Sequence, residues 1–263
     1  MSIIDAIILG IIQGLTEFLP VSSSGHLELG AVLLHLNVKN NLLFSVVVHA
    51  ATALSTIIVF RKDIVRIILD VFQFEWNEGT VFAVKIIVSI IPVGIVGLLF
   101  EKKLEPFFEG NAVLVGFMLI ITSLFLSLTG LRIKQRGDVT FLKSIFIGAA
   151  QAVAILPGIS RSGATIATSL LLGVKRPKAA QFSFLMVLIP IFGAVFLKMK
   201  DYIQSPDLYP AISVSALVFG FIAAFLSGLI ACRWMLDIVK KGKLIWFAIY
   251  CFIVGIIAVM VGS

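Results

Sequence analysis

The chain has 263 residues, 60% of them hydrophobic and only 13% charged, with a mean hydropathy of +1.12. An average soluble domain is about 25% charged, so the composition excludes a water-soluble globular protein and leaves an integral membrane protein. The net charge of +7 does not point to nucleic acid, because no basic domain stands outside the apolar segments; its bearing is on topology.

In chain order, residues 1–12 carry no basic n-region, only Asp5, so no cleavable signal peptide is expected. Residues 3–34 are apolar but interrupted by the stretch Gln13-Gly-Leu-Thr-Glu-Phe-Leu-Pro-Val-Ser-Ser-Ser-Gly-His26. Runs of spanning length follow at 43–60, 81–100 and 113–131, since about 20 residues cross the hydrocarbon core. Residues 141–174 are again broken, by Gln151-Ala-Val-Ala-Ile-Leu-Pro-Gly-Ile-Ser-Arg-Ser-Gly163, and further spans are expected at 182–197, 211–231 and 244–261. The fourth of the six is short, and Pro190 within it predicts a longer, kinked helix. Each broken segment predicts a helix, a turn at the Pro-Ser-Gly cluster and a second short helix, which at membrane depth means a re-entrant hairpin covered by protein. Residues 61–79 and 132–140 read as polar surface loops. Cys232 and Cys251 lie in apolar runs without metal-ligand spacing and read as buried small hydrophobes.

The chain repeats itself. Gln13 and Gln151 are 138 residues apart, as are Ser22-Ser23-Ser24-Gly25 and Ser160-Arg161-Ser162-Gly163, Phe44-Ser45 and Phe182-Ser183, and Lys62-Asp63 and Lys200-Asp201. One hairpin and three spans per half reverse the orientation of the second half. The expected architecture is therefore an all-α polytopic membrane protein of six transmembrane helices plus two re-entrant helix hairpins. It forms one membrane domain over 1–263, built as an inverted-topology repeat with halves at about 1–131 and 139–263. With that topology, one side holds five basic residues (Lys39, Lys102, Lys103, Lys198 and Lys200) and the other fifteen, among them Arg61, Lys62, Arg66, Arg161 and Lys240. The fifteen are expected in the cytoplasm, and both termini outside.

Polar groups in such surroundings either pair or do a job. Gln13 and Glu17, four apart, share one helix face. Gly10 and Gly14 fit close packing against another helix. In Ser22-Ser23-Ser24-Gly25-His26 at least one serine is expected to cap a helix start, and that start also offers N–H groups to an anion. The second copy adds Arg161, whose planar fork suits phosphate oxygens; the alternative is a structural ion pair with Glu17 across the repeat axis, and both can hold in the empty protein. Two facing helix starts with hydroxyls, Arg161, Glu17 and His26 make an anion site that also holds a nucleophile or base. Glu17 with Gln13 offers oxygens to a divalent cation. His35, His49 and Lys85 are given no catalytic part: His35 reads as interfacial, and His49 as lining a cavity or bonding backbone.

These residues resemble the undecaprenyl-diphosphate phosphatase family of the BacA or UppP type. Its signatures are a Glu/Gln-x-x-x-Glu motif leading into Phe-Leu-Pro-Val-Ser-Ser-x-Gly-His, and Pro-Gly-x-Ser-Arg-Ser-Gly-Ala-Thr; this sequence has them at Gln13–His26 and Pro157–Thr165. The resemblance covers essentially the whole chain. It implies a multi-pass protein of the bacterial cytoplasmic (inner) membrane, with a site opening to the outer side. Its activity would be hydrolysis of undecaprenyl diphosphate to the monophosphate carrier of cell-wall synthesis, with bacitracin resistance. By motif position the catalytic residues are Glu17, Ser23, His26 and Arg161. The substrate-binding ones are Gln13, Ser22, Ser24, Gly25, Ser160, Ser162, Gly163 and Thr165. Magnesium or calcium, held by Glu17 and Gln13, is the implied cofactor. The partners are a polyprenyl diphosphate and bilayer lipids, with oligomerisation left open. The attacking group is Ser23, His26 or water, and its proton goes to Glu17 or His26. The rival from another class is an inverted-repeat transporter or lipid flippase for an anionic substrate.

Overall fold

The computed structural model describes residues 1–36, 42–104, 111–131, 134–204 and 212–262. Lys39 and Arg132, which enter the charge count, and Ala211, which opens the fifth expected span, lie outside them. The described residues form helices and turns, with one isolated bridge between Gly137 and Val174. The helices are α1 (Ile3–Phe18), α2 (Ser23–Leu33), α3 (Leu42–Val59), α4 (Arg61–Phe72), α5 (Glu78–Leu104) and α6 (Ala112–Leu128). They continue as α7 (Phe141–Val153), α8 (Arg161–Leu171), α9 (Arg176–Met186), α10 (Leu188–Gln204), α11 (Val214–Lys241) and α12 (Ile245–Gly262).

Both broken segments are helix–turn–helix units. α1 opens on a capping box in which Ser2 and Asp5 exchange backbone and side-chain bonds, and it stops at Leu19 before Pro20. α7 opens on the Thr140 cap and ends at Ala154, three residues before Pro157. Ser22 and Ser160 cap α2 and α8, their hydroxyls accepting from Gly25 N at 3.4 Å and Gly163 N at 3.0 Å. The same local chemistry recurs in each half because the same residues do.

Four stretches, Glu78–Gly97, Arg176–Gln204, Val214–Lys241 and Ile245–Gly262, are long and apolar enough to cross a membrane; α3 makes a fifth if counted with α4, from which it is bent by 78°. α6 is apolar but shorter, at 17 residues. The chain is thus a polytopic helical membrane protein. The kinked span expected around Pro190 is present: α9 ends at Met186, whose carbonyl would meet the Pro190 ring in a continuous helix, and α10 restarts at Leu188.

The expectation of a polar loop over 61–79 is overturned. Residues 61–72 are helical, and α5 begins at Glu78. Charges at Arg61, Lys62, Asp63 and Arg66 hide two apolar stripes in the sequence. Ile64 and Ile67 pack on the core around Phe60, Ile166 and Phe184. Val65, Leu69 and Phe72 stay exposed beside the basic residues, the composition of a helix lying on a membrane surface.

The first hairpin is seated by small residues. A Cβ on Gly10 would lie 2.5 Å from Gly220 O of α11; one on Gly14 would lie 2.0 Å from Ser227 Oγ and 2.5 Å from Ala224 O. α6 and α12 meet in the same way, with Gly116 and Gly255 each against the other's carbonyl. Gly14→Val should therefore push α1 off α11 and destabilise the protein by about 3 kcal/mol. Thermal unfolding of detergent-purified protein checks this. Adding Ser227→Gly should restore little of the loss, because the clash with Ala224 O is with backbone.

Candidate active site

The tips of the two hairpins interlock. Ser22 Oγ, besides capping α2, accepts from Gly158 N at 3.1 Å, and Ser162 Oγ of α8 donates to Leu19 O at 3.2 Å. Ser22 holds φ at 68°, a left-handed conformation that a non-glycine residue keeps only when its surroundings impose it; the two amides on its hydroxyl are that restraint. From behind, Thr122 of α6 donates to Gly158 O at 3.0 Å and accepts from Ser160 N at 2.9 Å. The tips are thus held in one register by three side chains. Ser22 and Ser160, read from sequence as substrate contacts, are 3% and 1% exposed and serve this scaffold. Thr165 is buried and shares a 2.5 Å hydrogen bond with Ser183 of α9.

Glu17, at the end of α1, is the centre of the cluster that this register creates. Its Oε2 accepts from Ser23 Oγ at 2.6 Å and from Gln13 Nε2 at 2.9 Å, and its Oε1 is bound by Arg161, the first residue of α8. The Glu17–Arg161 ion pair, weighed from the sequence as a structural alternative, is present. The Glu17 side chain is 6% exposed and that of Arg161 27%, so the cation retains access to the recess in front of it. That recess is lined by Glu17, Arg161, Thr52, Thr56, Ser162 and Ser183 on its polar walls, and by Phe18, Phe184, Val187 and Ile191 on the rest. The recess thus sets hydroxyls, a carboxylate and a guanidinium among apolar side chains, a mixture that suits an anionic head on a hydrocarbon chain. Ser24 lies 3.4 Å from Ser22 Oγ through its hydroxyl. The first N–H groups of α2 and α8 have no acceptor within their own helices.

A family model described as "Bacitracin resistance protein BacA" matches residues 6–257. The chain belongs to the BacA family. It is 56% identical over 263 residues to a protein of Christiangramia forsetii named undecaprenyl-diphosphatase, covering 99% of this chain and 98% of that protein. A Bacteroides fragilis protein of the same name is 48% identical over 260 residues, covering 98% of each. One from Methanobrevibacter smithii is 41% identical over 276 residues, covering 99% of this chain and 98% of that protein.

Within this BacA-family chain the structure unites Gln13, Glu17, Ser23 and Arg161, and commits His26 elsewhere. His26 Nδ1 lies 2.9 Å from Ser22 O, and its Nε2 lies 2.8 Å from the Tyr250 hydroxyl of α12. A carbonyl only accepts, so Nδ1 carries the proton and Nε2 takes the Tyr250 hydrogen. The two rings stack at 5.6 Å. Both nitrogens of His26 are therefore occupied, whereas Glu17 already holds the Ser23 hydroxyl. His49 bonds backbone as the sequence suggests, its Nδ1 lying 2.8 Å from Ser45 O, but no sequence signal had placed its Nε2 3.7 Å from Glu17 Oε2. The reading of the sequence also missed Tyr250, Thr122 and Ser183. Only His49 had a local signal, a titratable ring in an apolar span; the others are ordinary helix residues until the fold gives them partners.

Proposed function

We propose that the chain is an undecaprenyl-diphosphatase, removing the terminal phosphate of undecaprenyl diphosphate to leave the monophosphate. The observation that carries this reading is the Ser23 hydroxyl donating to a carboxylate that a second hairpin closes with Arg161. The relatives' names supply the lipid, and the apolar side chains of Phe18, Phe184, Val187 and Ile191 beside the Glu17–Arg161 pair suit the start of its hydrocarbon chain. Bacitracin resistance follows from drawing down the diphosphate that the antibiotic binds.

Arg161 leaves Glu17 for the phosphoryl oxygens and is joined there by the free N–H groups of α2 and α8. Ser23 Oγ attacks the terminal phosphorus in line, the bond to the bridging oxygen breaks, and undecaprenyl phosphate leaves. Glu17 Oε2 takes the Ser23 proton. Water then attacks the phosphoserine, phosphate departs, and the proton returns to Ser23 Oγ. Glu17 rather than His26 is the acceptor in this scheme, because it already receives that hydrogen bond.

Among the described residues no three His, Cys, Asp or Glu side chains gather as a metal cage. Gln13 Oε1, however, is buried without a hydrogen-bond partner beside the Glu17 carboxylate. Mg2+ characteristically takes one or two protein oxygens and completes its shell with water and substrate phosphate, so these residues fit a cation that enters with the diphosphate. Gln13 and Glu17 would hold it, and it would neutralise charge on the transferring phosphoryl group. Chelation should then lower phosphate release at least about tenfold, with Mg2+ or Ca2+ restoring it; full activity in excess chelator removes the metal from the scheme.

The topology read from the sequence completes the picture. It is a single membrane domain of six spans and two re-entrant hairpins, inverted between about 1–131 and 139–263, in the inner membrane with both termini and the site outside. Its support is the exchange of partners between halves: α1 packs on α11 as α7 packs on α5, and α6 packs on its counterpart α12. Transporters use the same plan. The deciding experiment is phosphate release from undecaprenyl diphosphate by purified protein in detergent, where no gradient exists. Turnover supports the phosphatase; substrate binding without phosphate release overturns it.

A further inference from the structure

Among the described residues four polar side chains bond or face the Glu17 carboxylate, and the mechanism uses three of them. Gln13 comes from α1 itself and Ser23 is the reacting group. Arg161 is held to Glu17 only until a phosphate competes for it. The fourth, His49, stands on α3, outside both hairpins. One turn back along α3, Ser45 O lies 2.8 Å from His49 Nδ1. This contact pins the ring so that Nε2 faces Glu17 Oε2 at 3.7 Å, the same oxygen that accepts the Ser23 hydroxyl. The ring thus bridges the α3 backbone at Ser45 and the Glu17 carboxylate, one nitrogen to each.

The phosphatase reading, on which this argument rests, makes the fourth contact consequential. When Arg161 turns to the diphosphate, Glu17 loses the restraint on Oε1. Gln13 shares the helix of Glu17, so it moves with the carboxylate and cannot fix it against α2. We infer that His49 is the positioning residue that keeps Glu17 Oε2 on the Ser23 hydroxyl once Arg161 has gone to the substrate. The 3.7 Å separation is long for a hydrogen bond, as contacts that close only with substrate present often are. His49 reaches neither the Ser23 hydroxyl nor Arg161 in any contact among the described residues, so it acts through Glu17.

The test compares His49→Ala, His49→Phe and His49→Gln with the parent protein in steady-state phosphate release from undecaprenyl diphosphate. Phe keeps the ring's bulk but donates nothing; Gln keeps a donor at similar reach. Partners that orient a reacting group are worth about 10- to 100-fold. His49→Ala and His49→Phe should therefore lower kcat by about 30-fold with KM within about twofold, and His49→Gln should recover most of kcat. A His49→Phe protein with parental kcat shows that only bulk matters and overturns the role. So does a loss confined to KM, or a His49→Gln protein as slow as His49→Phe. A parent protein that releases no phosphate overturns the phosphatase reading and this role with it, an outcome distinct from an active parent with indifferent variants.

Discussion

Arg161→Ala is expected to lower kcat/KM for phosphate release by about 1,000-fold or more, the scale on which an arginine clamp acts on a transferring phosphoryl group. No other cation bonds the cluster from the second hairpin, and none among the described residues lines the recess. Lysine should not replace it: an ammonium is a point charge, whereas the guanidinium must grip two phosphoryl oxygens from a fixed position at the start of α8. The same substitution also leaves Glu17, 6% exposed, without its closest counter-charge, and should destabilise the empty protein by about 3 kcal/mol. Pairing Arg161→Met with Glu17→Gln separates the two effects. It removes both buried charges, so thermal stability should return while phosphate release stays lost. A double variant as active as the parent would show that the pair is purely structural.

Ser23→Ala is expected to reduce kcat by at least about 1,000-fold while substrate binding survives, because Arg161 and the helix starts remain. The 2.6 Å bond from Ser23 Oγ to Glu17 Oε2 makes the two residues one unit, so Ser23→Ala combined with Glu17→Gln should fall little below either alone. Rapid quenching of the parent protein should in addition find a phosphoryl group on the peptide containing Ser23. Near-normal turnover in Ser23→Ala would sink the serine nucleophile and return the attack to water or His26. In the latter case Tyr250 would first have to release His26 Nε2.

How far the sequence reached differs from residue to residue. Glu17, Ser23 and Arg161 were legible because charge and hydroxyls in an apolar chain are selected against unless used, and because their setting occurs twice. The pairing of Glu17 with Arg161 was legible from the inversion the repeat implied. α4 was not. Its charges at positions 61, 62, 63 and 66 make the segment look like a loop, and only the 78° bend after α3 shows that one apolar stripe faces the core and another faces out. The serines were legible as polar but not in their roles: Ser22 and Ser162 hold backbone of the opposite hairpin, more than 130 residues away.

By itself the sequence determined what local chemistry controls: an apolar helical chain, two helix–turn–helix units broken at Pro20 and Pro157, serine caps on α2 and α8, and small residues on α1 fit for close packing against some other helix. These depend on residues within a few positions of one another, or on a period visible along the chain. Only the tertiary structure decided which polar groups meet. His49 against Glu17, His26 against Tyr250 and Thr122 under the second turn are set by the register of the two hairpin tips and by the helices packed around them. That register rests on close contacts such as Gly14 against Ala224 O and Ser22 against Gly158 N. A shift of one helical turn in any of them would keep every local signal and change every partner.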